Sequence, residues 1–228
     1  MGVNIHGTDR VGDIVTNYPK TAEVFKAFRI DFCCGGNQSL LQAISSRDIK
    51  EEDLLNDLRA AAEAPTAEEI NWTELRSAEL IDYIVGNHHD YLRSALPQLS
   101  EYVKKIARVH GLNHPDLFQV YQWFETLRTD MEHHMEKEES EAFPAVLAYE
   151  KDPTASNRER LLETLDLLEQ EHEGSGDLLK QIREITHDYE LPEDACTTFR
   201  LTYLKLEELE ADMFQHIHLE NNILFNRV

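Results

Sequence analysis

His134 and Glu138 stand four residues apart, and so do His216 and Glu220. On a helix that separation sets an imidazole and a carboxylate side by side on one face. Together they make a donor pair suited to first-row metal ions. One such pair is weak evidence, because about one is expected by chance in a chain of this composition. The surroundings strengthen it. Superposing the two pairs, a shift of 82 residues, also brings Met131 onto Met213, Leu127 onto Leu209, Phe124 onto Leu206 and Phe143 onto Phe225. The helical segments ahead of each pair align through His89 and His172 at a shift of 83, with Val85 on Leu168, Leu96 on Leu179 and Leu99 on Ile182. Two copies of one helical hairpin, each carrying two histidines and one glutamate, are hard to produce by accident.

The candidates lie on apolar stripes. Leu161, Leu165, Leu168, His172, Leu179 and Ile182 follow helical spacing and should face an interior. Burying several imidazoles and carboxylates without a cation is costly, and a metal pair offsets that cost. Taken singly, an interior histidine is more often a hydrogen-bonded core residue. The repeat makes His89, His134, Glu138, His172, His216 and Glu220 one observation, a metal-ligand set for which iron is suitable. His88 competes with His89 for the stripe, and the alignment of the halves favours His89. His133 fits less well than His134. His6, His110, His114, His187 and His218 are expected to face solvent.

Helices must position these residues. Helix-forming types dominate and period-2 apolar runs are missing, so the fold class is all-α. Residues 1–63 read as a small N-terminal domain with helices over Val11–Ile30, Ser39–Ser45 and Glu52–Ala62. A linker follows over 64–75, where the apolar stripe lapses around Pro65. Residues 76–228 then carry four longer helical segments, 76–109, 116–150, 158–188 and 193–226. The breaks fall at Gly111–Pro115, at Asp152-Pro153 and at Leu191-Pro192. Four helices of about 45 Å joined by short loops make an up-down-up-down bundle. Pro97 should kink the first of them or end one half early.

Composition narrows the function. The 228 residues include 44 acidic and 22 basic side chains, a formal charge of −22. That charge repels phosphate backbones and anionic lipid surfaces, so neither nucleic acid nor membrane is expected as a partner. A hydrophobic fraction of 41% argues against disorder. No apolar run is long enough to span a bilayer. The N-terminus lacks a secretory leader, and the three cysteines, two of them adjacent, suit a reducing cytoplasm. Most of the acidic excess, including Glu136, Glu139 and Glu141, reads as solvated helix face. A path for departing ferrous ions is the weaker reading.

The segments His134-Met135-Glu136-Lys137-Glu138-Glu139, Glu171-His172 and His216-Ile217-His218-Leu219-Glu220-Asn221-Asn222 resemble the ligand motifs of hemerythrin-like bundles. With Asp31-Phe32-Cys33-Cys34-Gly35-Gly36 and Glu193-Asp194-Ala195-Cys196-Thr197-Thr198, the chain resembles over nearly its full length the di-iron proteins that repair iron–sulfur clusters after oxidative and nitrosative stress. The resemblance implies two iron ions in an oxo- and carboxylate-bridged centre, with Glu138 and Glu220 bridging and two histidines capping each iron. Oxygen-carrying hemerythrins place a further histidine where this chain has Gly176, which implies an open position or a more weakly held iron.

The pair Cys33-Cys34 is read either as buried thiols or as a pair that binds iron or nitrosyl species or cycles through a mixed disulfide. Gly35 and Gly36 would allow close approach and positive φ beside the sulfurs. Cys196 opens a helix and is read as structural. The leading function is repair of damaged clusters by iron donation, with damaged iron–sulfur proteins as clients and a second copy of the chain as a further partner. A binder or sensor of oxygen or nitric oxide is one alternative. A di-iron reductase of nitric oxide or peroxide is another, although nothing in the chain resembles a flavin or rubredoxin module to supply its electrons.

Overall fold

Segments rich in leucine, glutamate and alanine are helical throughout the computed structural model, which describes residues 3–45, 47–64 and 70–228. Among the described residues there is no strand, only an isolated bridge between Arg10 and Ser39. The protein is all-α. It packs as two units, Met1–Leu80 with Phe214–Arg227, and Ile81–Met213 with Val228.

The first unit holds α1 (Val11–Asn17), α2 (Thr21–Ala27), α3 (Leu40–Ile44) and α4 (Glu51–Glu63). The single helix expected over Val11–Ile30 is two helices. Pro19 disfavours helical backbone at Tyr18, which sits at φ −136° and ψ 77° and ends α1. Ser39 and Gln42 cap α3 reciprocally, each side chain taking the other's backbone N–H. Val11, Phe25, Phe32, Leu40, Leu54 and Leu58 form the core. Within the expected linker over 64–75, residues 65–69 lie outside the described residues. Its later part is tied down: the Arg227 guanidinium donates to the carbonyls of Leu75 at 2.8 Å and Trp72 at 3.1 Å.

The four longer segments are present, and three of them contain a widened turn. The first runs α5 (Ser77–Tyr83), a π-helical turn Ile84–His89, then α6 (Asp90–His110). The second runs α7 (Asp116–Lys137), a π turn Glu138–Ala142, then α8 (Phe143–Lys151). The third is α9 (Ala155–Ile185). The fourth is α10 (Thr197–Leu219), followed by a π turn Glu220–Leu224. Pro97 lies inside α6 and does not end it.

In the second unit α7 packs on α6 and α9, and α8 on α9. Among the contacts that tie α10 in are Arg183 to Glu210 at 2.5 Å, Tyr189 Oη to Glu210 at 3.1 Å, His88 to Asp212 at 2.9 Å and Lys105 to Thr198 at 3.0 Å. Leu92, Leu96, Val120, Phe124, Leu127 and Leu168 are fully buried along these helices. Beyond α9, His187, Asp188 and Tyr189 all have φ near +60°, three left-handed residues without a glycine. Such backbone costs about 1–2 kcal/mol per residue. Burial of the Tyr189 ring and its bond to Glu210 hold the turn in place. No described helix is long and apolar enough to cross a membrane.

Candidate metal centre

Glu138 opens the π turn that follows α7, and its carboxylate is fully buried. Its two oxygens face different histidines. Oε2 lies 3.3 Å from His89 Nε2, and Oε1 lies 3.1 Å from His134 Nε2. His172 Nε2 is 3.9 Å from Oε1 and 2.8 Å from His134 Nε2. All three histidines are buried. In the first unit His216 and Glu220, both with no exposed surface, approach to 3.0 Å between Nε2 and Oε1. That pair repeats the His134–Glu138 arrangement 82 residues later, and in both copies the glutamate begins a π turn. His89 ends the remaining π turn. Widened turns of this kind recur at functional sites, because they shift which side chains reach the helix face.

Outer partners aim the rings. His89 Nδ1 lies 2.6 Å from Glu139 Oε1, which also accepts from Arg93 at 2.6 Å. His134 Nδ1 lies 2.8 Å from Glu171 Oε2, and Glu171 also pairs with Lys137. With Nδ1 committed to a carboxylate, Nε2 is the nitrogen left for a metal. Partial burial alone would raise both carboxyls. The bonds from His89 and Arg93 outweigh it and hold Glu139 below its ordinary value, and those from Lys137 and His134 do the same for Glu171. An open cavity of about 410 Å³, lined by His133, His134, Lys137 and Glu171, gives access from the surface. Buried carboxylates among imidazoles with Nε2 turned inward are a donor set that fits first-row divalent ions.

Several residues depart from expectation. Glu139 is not simply part of a solvated face, since it holds His89 and Arg93, whereas Glu136 and Glu141 are exposed. Neither Glu139 nor Glu171 was singled out as a partner of a ligand. The available signal was adjacency, since they sit beside Glu138 and His172. His88 pairs with Asp212, whereas His89 Nε2 faces Glu138. His218 is buried, not solvent-facing: its ring meets Phe32 edge-on at 5.7 Å, and its Nε2 lies 3.4 Å from Thr16 Oγ1. Burial lowers its pKa to about 4. His110 and His114 are half-buried against Phe199. His6, His133 and His187 are exposed. Cys196 is exposed, with its sulfur 3.2 Å from His110 Nε2.

The dithiol loop is organised by Asp31. Its Oδ1 accepts the backbone N–H groups of Cys33 at 3.0 Å, Cys34 at 3.0 Å and Gly35 at 3.1 Å. Cys33 is buried and Cys34 half-buried, with sulfurs 3.7 Å apart. Burial, followed by the Cys34 contact and the negative charge of Asp31, pushes the Cys33 thiol well up. Asn222 Nδ2 donates to the Cys33 carbonyl at 3.0 Å. A Cβ on Gly36 would come within 2.5 Å of Asn222 Oδ1, so this glycine serves close approach. No described glycine has positive φ, so the expected left-handed backbone beside the sulfurs is not used.

The profile of ScdA_N, a domain of unknown function (DUF542), matches residues 7–62, and that of the hemerythrin HHE cation binding domain matches residues 80–228. The chain is 38% identical over 221 residues to the iron-sulfur cluster repair protein ScdA of Staphylococcus epidermidis, covering 96% of this chain and 97% of that one. It is 36% identical to ScdA of Staphylococcus haemolyticus over 219 residues, 95% of this chain and 96% of the relative. Against the iron-sulfur cluster repair protein YtfE of Escherichia coli the identity is 32% over 217 residues, 95% and 94% of the two chains. The chain therefore belongs to the family of iron–sulfur cluster repair proteins and carries a hemerythrin HHE cation-binding domain.

Proposed function

We propose that this protein repairs iron–sulfur clusters damaged by oxidative or nitrosative stress, by donating iron held in its hemerythrin domain. His89, His134, Glu138, His172, His216 and Glu220 would hold two ions, with the two glutamates shared between them as the family resemblance implies. The observation that carries this reading is the Glu138 carboxylate, which turns one oxygen to His89 and the other to His134. The internal repeat supports assigning Glu220 the same role. Two carboxylate-bridged irons would serve there as exchangeable cargo for a client cluster.

The chain's own residues do the rest. Glu139 and Glu171 fix the ring orientations, and Leu92, Phe124, Leu127 and Leu168 keep water from the inner face. Histidine and carboxylate ligands bind metal in their deprotonated forms, so proton uptake accompanies release. The functional division we propose is a dithiol domain over 1–63, a linker over 64–75 and the iron-holding bundle over 76–228. Clients are damaged iron–sulfur proteins, met in a reducing cytoplasm where Cys33 and Cys34 remain thiols available for chemistry. Self-association into a homodimer is part of the same proposal.

The cavity beside His134 favours one competing reading, reversible binding of nitric oxide or oxygen. One experiment separates the two. Anaerobically prepared protein is assayed for iron and then incubated with an apo iron–sulfur acceptor, with and without a ferrous chelator. Donation requires two irons per chain and acceptor activity that returns only without chelator. Iron that never leaves, in a centre whose spectrum responds reversibly to nitric oxide, would replace donation with ligand binding. Glu138→Ala and Glu220→Ala should each lower bound iron below two per chain, and full occupancy in either would remove that residue from the bridge.

A further inference from the structure

We propose that Asp31, Cys33 and Cys34 form a second metal site, holding one divalent thiophilic cation through two thiolates and one carboxylate oxygen. One ligand atom from each of the three lies within 4.8 Å of the other two. The spacing is that of a coordination sphere. Tetrahedral metal–sulfur bonds of about 2.3 Å put two sulfurs about 3.8 Å apart, and a sulfur about 3.6 Å from a carboxylate oxygen. The sulfurs of Cys33 and Cys34 are 3.7 Å apart, and Cys33 Sγ lies 3.2 Å from Asp31 Oδ1.

The loop is preorganised for this. Asp31 accepts three successive backbone N–H groups, which fixes the backbone that carries both cysteines before any ion arrives. As a thiol, Cys33 donates to Asp31 Oδ1; with both protons gone, two thiolates and a carboxylate at this spacing repel one another strongly unless a cation lies between them. A disulfide is the poorer use of the pair. Adjacent residues have Cα atoms about 3.8 Å apart, below the usual range of about 4.4–6.8 Å for a bridge.

Binding forms two metal–sulfur bonds and one metal–oxygen bond, releases the two thiol protons to solvent and changes no oxidation state. Three protein ligands leave a fourth position open. The half-buried Cys34 marks the side from which another thiolate, such as a cysteine of an apo iron–sulfur acceptor, can take it. That identity of cargo and acceptor, ferrous iron passing to a cluster protein, rests on the proposed repair function. The site itself does not.

The test uses the full-length chain, its bundle loaded with iron, titrated anaerobically with Co2+. The expected result is one equivalent bound with sulfur-to-cobalt charge-transfer absorption and the intense visible bands of tetrahedral cobalt. Cys34→Ser should abolish the charge transfer of a dithiolate. Asp31→Asn keeps an oxygen for the three backbone N–H groups but removes the charge, and should weaken cobalt binding about tenfold or more. Absence of the charge-transfer band at one equivalent would overturn the site. Cobalt affinity unchanged in Asp31→Asn would overturn the role of the carboxylate. The bundle ligands contain no sulfur, so an error in the iron-donation reading would appear in iron content and acceptor activity while this spectrum stayed as expected.

Discussion

Glu139 and Glu171 do one task twice. Each accepts from the outer side of a buried imidazole and is itself held by a cation, Arg93 in one case and Lys137 in the other. Glu139→Ala or Glu171→Ala should therefore weaken iron binding roughly 10- to 100-fold, read by chelator competition. Exposed Glu136→Ala is the control, and an equal loss there would show that bulk charge, not ring orientation, is responsible. Thiol reactivity follows burial in the same way. In metal-free protein near neutral pH, Cys196 and Cys34 should alkylate well before Cys33, whose thiol is buried and raised. Mass mapping that found Cys33 labelled first would contradict this. The candidate ligands were legible in the sequence because a repeat multiplies a weak spacing signal. Glu139, Glu171 and His218 were not, because their roles depend on what lies across from them, and periodicity along one helix carries no such information.

At the scale of elements, the turn after α9 and the start of α10 bury tyrosines beside acids. Tyr203 is pushed up to about 12 by burial and then by Asp116, and Tyr189 is raised further by burial and Glu210. Both are neutral in the fold while an unfolded chain would ionise near pH 10. The unfolded state then loses protons that the folded state keeps, so stability present below pH 10 is lost as pH rises from 10 towards 12. Between pH 9 and pH 11 the share from Tyr203 is about 1 kcal/mol, and urea unfolding at those two values should show a smaller loss in Tyr203→Phe. An identical loss in that variant would place the effect elsewhere. Helix existence was readable from composition, and most breaks from glycine and proline. The split at Pro19 was readable too, through the restriction on Tyr18, but the apolar run over Val11–Ile30 masked it. The π turns leave no mark in composition at all.

For the whole molecule, metal and fold should be coupled. Buried His89, His134, Glu138, His172, His216 and Glu220 sit in an interior that pays for them only when their charges are matched. Removing iron with a chelator should lower the melting temperature by several degrees or more, and raising ionic strength should recover part of the loss by screening the charge of −22. Calorimetry showing identical transitions with and without iron would mean that the bundle is stable regardless of its cargo. The turns at Glu138–Ala142 and Glu220–Leu224 occupy the same register of both hairpins. Each consecutive helical residue advances the face by about 100°. Deleting one codon inside either turn would remove the residue that widens it and change which side chains of that turn reach the buried face. In hereditary terms, these segments can absorb substitutions but not a change of length.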